Sequence, residues 1–171
     1  VDLVGVLDAD GLLHFAEFRV NERAFQLMEQ VSGRAGRKPS FVDTAEGLRP
    51  AARVLVQTSQ PGHPVLQYVQ QHNYKRMYAD EILKRKEFHY PPYTRIIQLM
   101  FRHKFREVTE RAAHVFAQAL KGSFGNYMIG PAEPVVGRIR NQYLNELLFK
   151  LPRDGKIIAQ CKKAILEQVA I

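Results

Sequence analysis

The chain has 171 residues, 46% of them hydrophobic, enough for one ordinary core or two small ones. A net charge of +8 favours a polyanionic partner such as nucleic acid, and equally describes a basic, solvated surface. Cys161 is the single cysteine, which excludes an internal disulfide and a cysteine-based zinc cluster and suits a reducing cytoplasm. No apolar run reaches the roughly 18 residues of a membrane span, and no signal-peptide pattern is present. The chain opens inside a strand pattern without a methionine, as expected of a piece of a longer protein.

Val1 to Leu7 (V-D-L-V-G-V-L) is a short apolar run that predicts a strand covered on both faces. Asp8-Ala9-Asp10-Gly11 follows at its carboxyl end, where open α/β sheets place ligand-binding groups. Two readings stand: Asp8 and Asp10 orient a phosphate-bound metal through water, or they cap and turn the chain. Phe18-Arg19 and Glu22-Arg23 read as a local charge cluster. From Asn21, a plausible N-cap, to Val31, the positions Ala24, Phe25, Leu27, Met28 and Val31 fall near helical spacing.

That helix runs into Gln30-Val31-Ser32-Gly33-Arg34-Ala35-Gly36-Arg37. Gly33 and Gly36 permit a sharp turn, and Arg34 and Arg37 are spaced to reach one phosphate together. Positive charge held there would stabilise phosphoryl transfer. The bland alternative is a helix end followed by a basic loop.

Lys38 to Ala52, with its Pro, Gly, Ser and Asp, predicts an irregular polar loop. Arg53 to Thr58 predicts a strand, closed by a turn through Pro61. His63-Pro64 opens a short helix from Val65 to His72, and both histidines read as surface or capping groups rather than metal ligands. Tyr74 to Lys86 reads as an amphipathic helix with Tyr78, Ile82 and Leu83 inward and Lys84, Arg85 and Lys86 outward. That basic triplet either touches a DNA backbone or is solvated and complements the helix dipole.

Phe88-His89-Tyr90-Pro91-Pro92-Tyr93 predicts a stiff linker, its aromatics pinning it to a neighbour or, where exposed, stacking on bases. Arg95 to Arg102 then reads as a strand, and Phe105 to Lys121 as a helix burying Val108, Ala112, Val115, Phe116 and Ala119, ended by Gly122 and Gly125. Met128 to Arg140 and Tyr143 to Leu151 read as a hairpin, and Gly155 to Ala170 as a helix burying Ile157, Ile158, Cys161, Ile165 and Val169. The expected fold class is therefore α/β followed by α+β, the latter a small β-α-β-β-α sandwich. Arg138, Arg140 and Lys150 punctuate the hairpin with charge that either solubilises it or contacts a DNA backbone or an acidic protein tail.

Gln30, Gly33, Arg34 and Arg37 spell Q-x-x-G-R-x-x-R, which resembles motif VI of the superfamily 2 helicases. Upstream stand V-D-L-V-G-V-L-D-A-D-G-L-L and F-R-V-N-E-R, downstream V-L-V-Q-T-S-Q-P-G-H-P and E-F-H-Y-P-P-Y. Their order is similar to the carboxy-terminal part of the primosomal replication-restart helicases. The resemblance implies part of a RecA-like second helicase lobe over residues 1–60, a helical connector with a Pro-rich linker over 61–93, and a carboxy-terminal domain over 94–171.

It further implies catalytic Arg34 and Arg37, with Gln30 and Gly33 at the nucleotide and Asp8 and Asp10 in motif V. ATP with Mg2+ would sit on the first lobe, and Zn2+ in a cysteine-rich insertion of the full-length protein. This chain holds no G-x-x-x-x-G-K-[ST] loop and no D-E-x-H run, so by itself it is expected to be inactive in ATP hydrolysis. The intact protein is expected to unwind DNA 3′ to 5′ at stalled forks in the bacterial cytoplasm and nucleoid, and to load the primosome. Its partners would be forked and single-stranded DNA, single-stranded DNA-binding protein and other primosome proteins.

Three departures from the family pattern stand out. Lys38 to Ala52 is longer than the usual glycine-bearing turn. Gln142 to Glu146 stands where relatives often carry R-x-R-x-Q, which puts the tail-binding pocket in question. The family usually ends in one more strand, which is expected to be missing where this sequence stops at Ile171. Two rivals remain: a non-catalytic adaptor for nucleic acid or protein, and a structural subunit for an acidic partner.

Overall fold

The computed structural model describes residues 3–15, 17–35, 41–44, 47–50 and 53–169. Contacts divide the chain into two units, Val1–Lys84 and Arg85–Ile171.

In the first unit, β1 (Leu3–Val6) leads into a single helical turn or so, α1 (Ala9–Leu13), and then into α2 (Val20–Ser32). A hairpin of β2 (Phe41–Thr44) and β3 (Gly47–Pro50) follows, then β4 (Arg53–Val56), α3 (Pro64–Gln70) and α4 (Tyr74–Glu87). β1 and β4 pair in parallel, Leu3 opposite Arg53 through Val6 opposite Val56, while β2 and β3 form a separate antiparallel ribbon. The core gathers Ala9, Leu13, Ala24, Phe25, Met28, Val65, Leu66, Val69 and Met77, with Val6 and Val56 packed against it. Only one face of the parallel pair is covered in this way. Leu3 and Leu55 point outward, 52% and 59% exposed, although parallel strands are normally buried on both faces.

Several expectations for this unit are corrected. Residues 38–52 were expected to be irregular, yet Phe41–Thr44 and Gly47–Pro50 pair as strands. Val42 and Thr44 have the β-branched shape that favours extension, and Gly47, at φ +109, supplies the left-handed residue that reverses the chain. Asn21 is not the cap of α2: Arg19 holds that position without a side-chain cap, and the Asn21 amide donates to Glu81 at 2.8 Å. Gly33 does close the helix, but at φ −66, a conformation open to any residue. α4 is rotated from its expected face. Met77 and Glu81 turn inward, while Tyr78 and Leu83 are 53% and 65% exposed. A buried carboxylate is tolerable there because Asn21 and Lys84 both donate to it.

The second unit begins at the end of α4 and runs through β5 (Thr94–His103), α5 (Arg106–Phe124), a 3-10 turn at Gly125–Tyr127, β6 (Met128–Ala132), β7 (Arg138–Ile139), β8 (Gln142–Pro152) and α6 (Gly155–Val169). β8 is the central strand, antiparallel to β5 over its length and to β6 and β7 on its other side. Alternate residues Leu147, Phe149 and Leu151 face inward, joined by Ile97, Leu99 and Phe101 of β5. Phe116, Leu120 and Phe124 of α5 and Cys161 and Ile165 of α6 cover that face.

The expected strand 128–140 is broken into β6 and β7, with a register shift between Ile129 and Ala132. Gly130 sits at the break, at φ +99. A Cβ there would lie 2.8 Å from the Glu146 carbonyl oxygen, so a side chain would push the strands apart. α5 buries Thr109, Ala113, Phe116, Ala117, Leu120 and Phe124, one position off the expected stripe, and leaves Val115 66% exposed. The i, i+4, i+8 set Phe116, Leu120 and Phe124 carries more apolar area than the valine-alanine set and decides the rotation. For the same reason α5 passes through Gly122 instead of stopping there. At the far end Val169 is 69% exposed rather than buried.

Candidate functional site

Two groups of the expected residues lie in the first unit. Gln30 is in the last turn of α2, Gly33 is its C-cap, and Arg34 follows in a turn whose amide donates to the Val31 carbonyl at 3.1 Å. Gln30 and Arg34 are both exposed, and no described carboxylate pairs with Arg34. The negative end of the helix dipole favours a cation there. Arg37 and Gly36 lie outside the described residues.

Asp8 and Asp10 sit just past the carboxyl end of β1, beside the segment that leaves β4. The strands are joined beyond their last pair by Gln57 N–H to Val6 O at 2.8 Å and Ala9 N–H to Gln57 O at 3.1 Å. Asp8 caps α1, accepting from the Gly11 amide at 3.0 Å. Asp10 accepts the Thr58 hydroxyl on one oxygen and the Ser59 amide, at 2.9 Å, on the other. Hydrogen bonds from the Ser59 side chain, the Thr58 hydroxyl and the Ser59 amide hold its carboxyl down to about 2. Both carboxylates therefore organise the loops at the strand ends. Among the described residues no three His, Cys, Asp or Glu side chains come together as a metal site. His63 caps α3 through Nδ1, which accepts from the Val65 amide at 3.3 Å, and burial pushes its pKa down. His72 faces Glu29 at 3.0 Å.

Lys84, Arg85 and Arg138 are already engaged. Lys84 donates to Glu81 at 3.1 Å, and Arg85 to the Pro91 carbonyl at 3.4 Å. Arg138 lies 4.9 Å over the Tyr143 ring and donates to Asn141. Arg140 and Asn141 form the two-residue turn between β7 and β8, at φ 48 and 63, which leaves Arg140 exposed at the tip.

Sequence reasoning missed three groups. Thr58 and Ser59 read only as turn residues, Glu81 carries no sequence signal of its own, and Lys150 reads as hairpin charge that either solubilises or contacts a DNA backbone or acidic tail. Lys150 in fact donates to the Phe88 carbonyl at 2.7 Å and sits 3.7 Å from the centre of the Tyr90 ring. Its one signal was its place as a lone cation in the apolar run L-L-F-K-L.

The chain thus pairs an α/β unit, bearing an exposed arginine at a helix end, with an α+β unit whose two helices cover one face of an antiparallel sheet. Residues 86–171 match the family described as "Primosomal protein N C-terminal domain", and the chain belongs to that family. It is also similar to the replication restart protein PriA of Synechocystis sp., 39% identical over 161 residues, which covers 92% of this chain and 18% of that protein. The PriA of Bacillus subtilis is 35% identical over 171 residues, covering 96% and 20%, and that of Treponema pallidum 34% over 168 residues, covering 97% and 24%. The chain spans about a fifth of the length of these relatives.

Proposed function

We propose that the chain is the carboxy-terminal portion of an ATP-dependent, 3′ to 5′ DNA helicase that acts at stalled forks and loads the primosome for replication restart. In this reading the first unit is part of a RecA-like second lobe, and Gln30, Arg34 and Arg37 face the terminal phosphates of ATP held by the first lobe. The observation that carries it is that Gln30 and Arg34, the described members of the Q-x-x-G-R-x-x-R run that lie at the end of α2, are exposed, in a unit that also holds a parallel strand pair with Leu3 and Leu55 exposed on one face. Such a face and such open edges suit a fragment of a larger parallel sheet.

The residues present fit the phosphate-facing half of a nucleotide site. An exposed Arg34, with no carboxylate partner among the described residues, offers a bidentate fork to phosphate oxygens, while the sequence has no phosphate loop of its own. Bound ATP with Mg2+ would supply the phosphoryl group. The part of Arg34 and Arg37 is to neutralise charge developing on it, and that of Gln30 is to orient them. Asp10, locked to Thr58 and Ser59, would tie the strand ends of the lobe to its DNA-facing side. The test is DNA-stimulated ATP hydrolysis by the protein with the nucleotide-binding lobe present. Arg34→Ala and Arg37→Ala should each lower turnover about 10³-fold with DNA affinity nearly unchanged. Unchanged turnover would make the loop structural and favour the adaptor reading.

A further inference from the structure

The second unit contains a cavity of about 580 Å3, lined in part by Phe88, His89 and Tyr93 of the E-F-H-Y-P-P-Y run. Its floor is the end of the sheet, at Ile129 of β6 and Lys150 of β8, and its wall is the Phe88–Thr94 segment. Lys150 holds that wall in place by donating to the Phe88 carbonyl and by lying over the Tyr90 ring. Tyr127 and Arg153 complete the rim, and among the described residues no Asp or Glu lines the cavity. Phe88 and Tyr93 are 55% and 41% exposed, so ring surface is open to a ligand, and Arg153 is exposed with no described carboxylate paired to it.

A lining that combines ring faces with cations and excludes carboxylates recognises an anion carrying an aromatic group. The volume falls in the range of sites that enclose small organic ligands. We propose that this cavity takes one nucleotide of single-stranded DNA, its base stacked on Tyr93 and its phosphate on Arg153. The inference rests on the nucleic-acid reading given under Proposed function. Phe88, Tyr93 and Tyr127 stand in the lining beside Met128, Ile129 and Pro152, and the exposed rings of Phe88 and Tyr93 offer flat surfaces that favour a base over the aliphatic side chains of an acidic peptide. Base stacking on an aromatic side chain is sequence-tolerant and is worth about 1–3 kcal/mol per base, or roughly 5- to 150-fold in affinity. Lys150 acts as a positioning residue: two of its donor directions are committed to Phe88 and Tyr90, which keeps the wall upright.

The whole chain would be titrated into two labelled probes of equal length and charge, an oligothymidylate and its abasic counterpart. Wild type should bind the oligothymidylate about tenfold more tightly. Tyr93→Ala should erase that advantage and Tyr93→Phe should keep it. Arg153→Ala should weaken both probes alike and reduce the slope of log affinity against log salt by about 0.7. Equal wild-type affinity for the two probes, or an advantage that survives Tyr93→Ala, overturns the proposal. So does an acidic peptide that displaces the strand and loses affinity in Tyr93→Ala while the base makes no difference. If wild type binds neither probe, nucleic-acid contact by this chain falls as well. Binding that ignores Tyr93 and Arg153 removes the cavity alone.

Discussion

Asn21→Ala should destabilise the first unit by about 1.5–3 kcal/mol, the cost of losing a hydrogen bond to a charged, buried acceptor. Glu81 is 8% exposed, and its side chain has two donors, the Asn21 amide at 2.8 Å and Lys84 at 3.1 Å. The two are not equivalent. Lys84 is half exposed and one turn away on the same helix, so its pairing is screened by water and worth about 0–1 kcal/mol. Asn21 crosses from α2 to α4 over sixty residues of sequence, and its removal leaves the carboxylate dependent on that weak partner. The ordering Asn21→Ala well above Lys84→Ala is therefore the content of the prediction. The assay is urea unfolding followed by far-ultraviolet circular dichroism, with a separate transition fitted to each unit. In double-mutant cycles with Glu81→Ala, the Asn21 coupling should exceed about 1 kcal/mol and the Lys84 coupling should stay below about 0.5 kcal/mol. Equal couplings, or a Lys84→Ala loss as large as that of Asn21→Ala, would refute the argument that the inter-helix bond dominates.

Asp10→Asn tests the clamp at the strand ends. A carboxyl held at about 2 against an ordinary 3.8 gives stability that is complete above 3.8 and is lost as pH falls towards 2. The thermal-stability gap between wild type and Asp10→Asn should thus be widest near neutrality and should close over that acid window. His63 has its pKa lowered from 6.5 by burial, so the neutral form is favoured in the fold and stability falls as pH drops below 6.5. Protonation also removes the Nδ1 acceptor from the Val65 amide, so His63→Asn, which keeps an N-cap but does not titrate, should flatten this part of a stability-against-pH curve. Phe149→Ala, at a side chain with no exposure between the sheet and the helices, should cost about 3–5 kcal/mol and unfold the second unit first in a thermal scan. Lys150→Met should leave that core intact but speed hydrogen exchange at the amides of residues 88–90, because the wall loses its bond to β8.

The order of elements was largely legible because hydrophobic period is a local property. β1, β4, β5, α2, α5 and α6 all lie within a few residues of where the pattern puts them. Which face of a helix turns inward was less legible. α4 carries Tyr78, Ile82 and Leu83 on one side, yet the fold selects Met77 and Glu81, because Asn21 supplies the partner that makes burial of a charge affordable. The hairpin at 41–50 was hidden by its polar composition, since strand pairing depends on a partner segment as well as on the residues themselves.

For the candidate site the division is similar. The sequence by itself determined the run Gln30 to Arg37, the absence of a phosphate loop, the aromatic-proline boundary and the basic balance, all of which are fixed by residue type and spacing. Only the tertiary structure decided that Asp10 is locked to Thr58 and Ser59, forty-eight and forty-nine residues away, and that Lys150 reaches back sixty-two residues to hold Phe88. Those contacts arise where two strands end side by side or one strand lies under a returning segment. Such meetings are set by chain topology, and no local pattern encodes them.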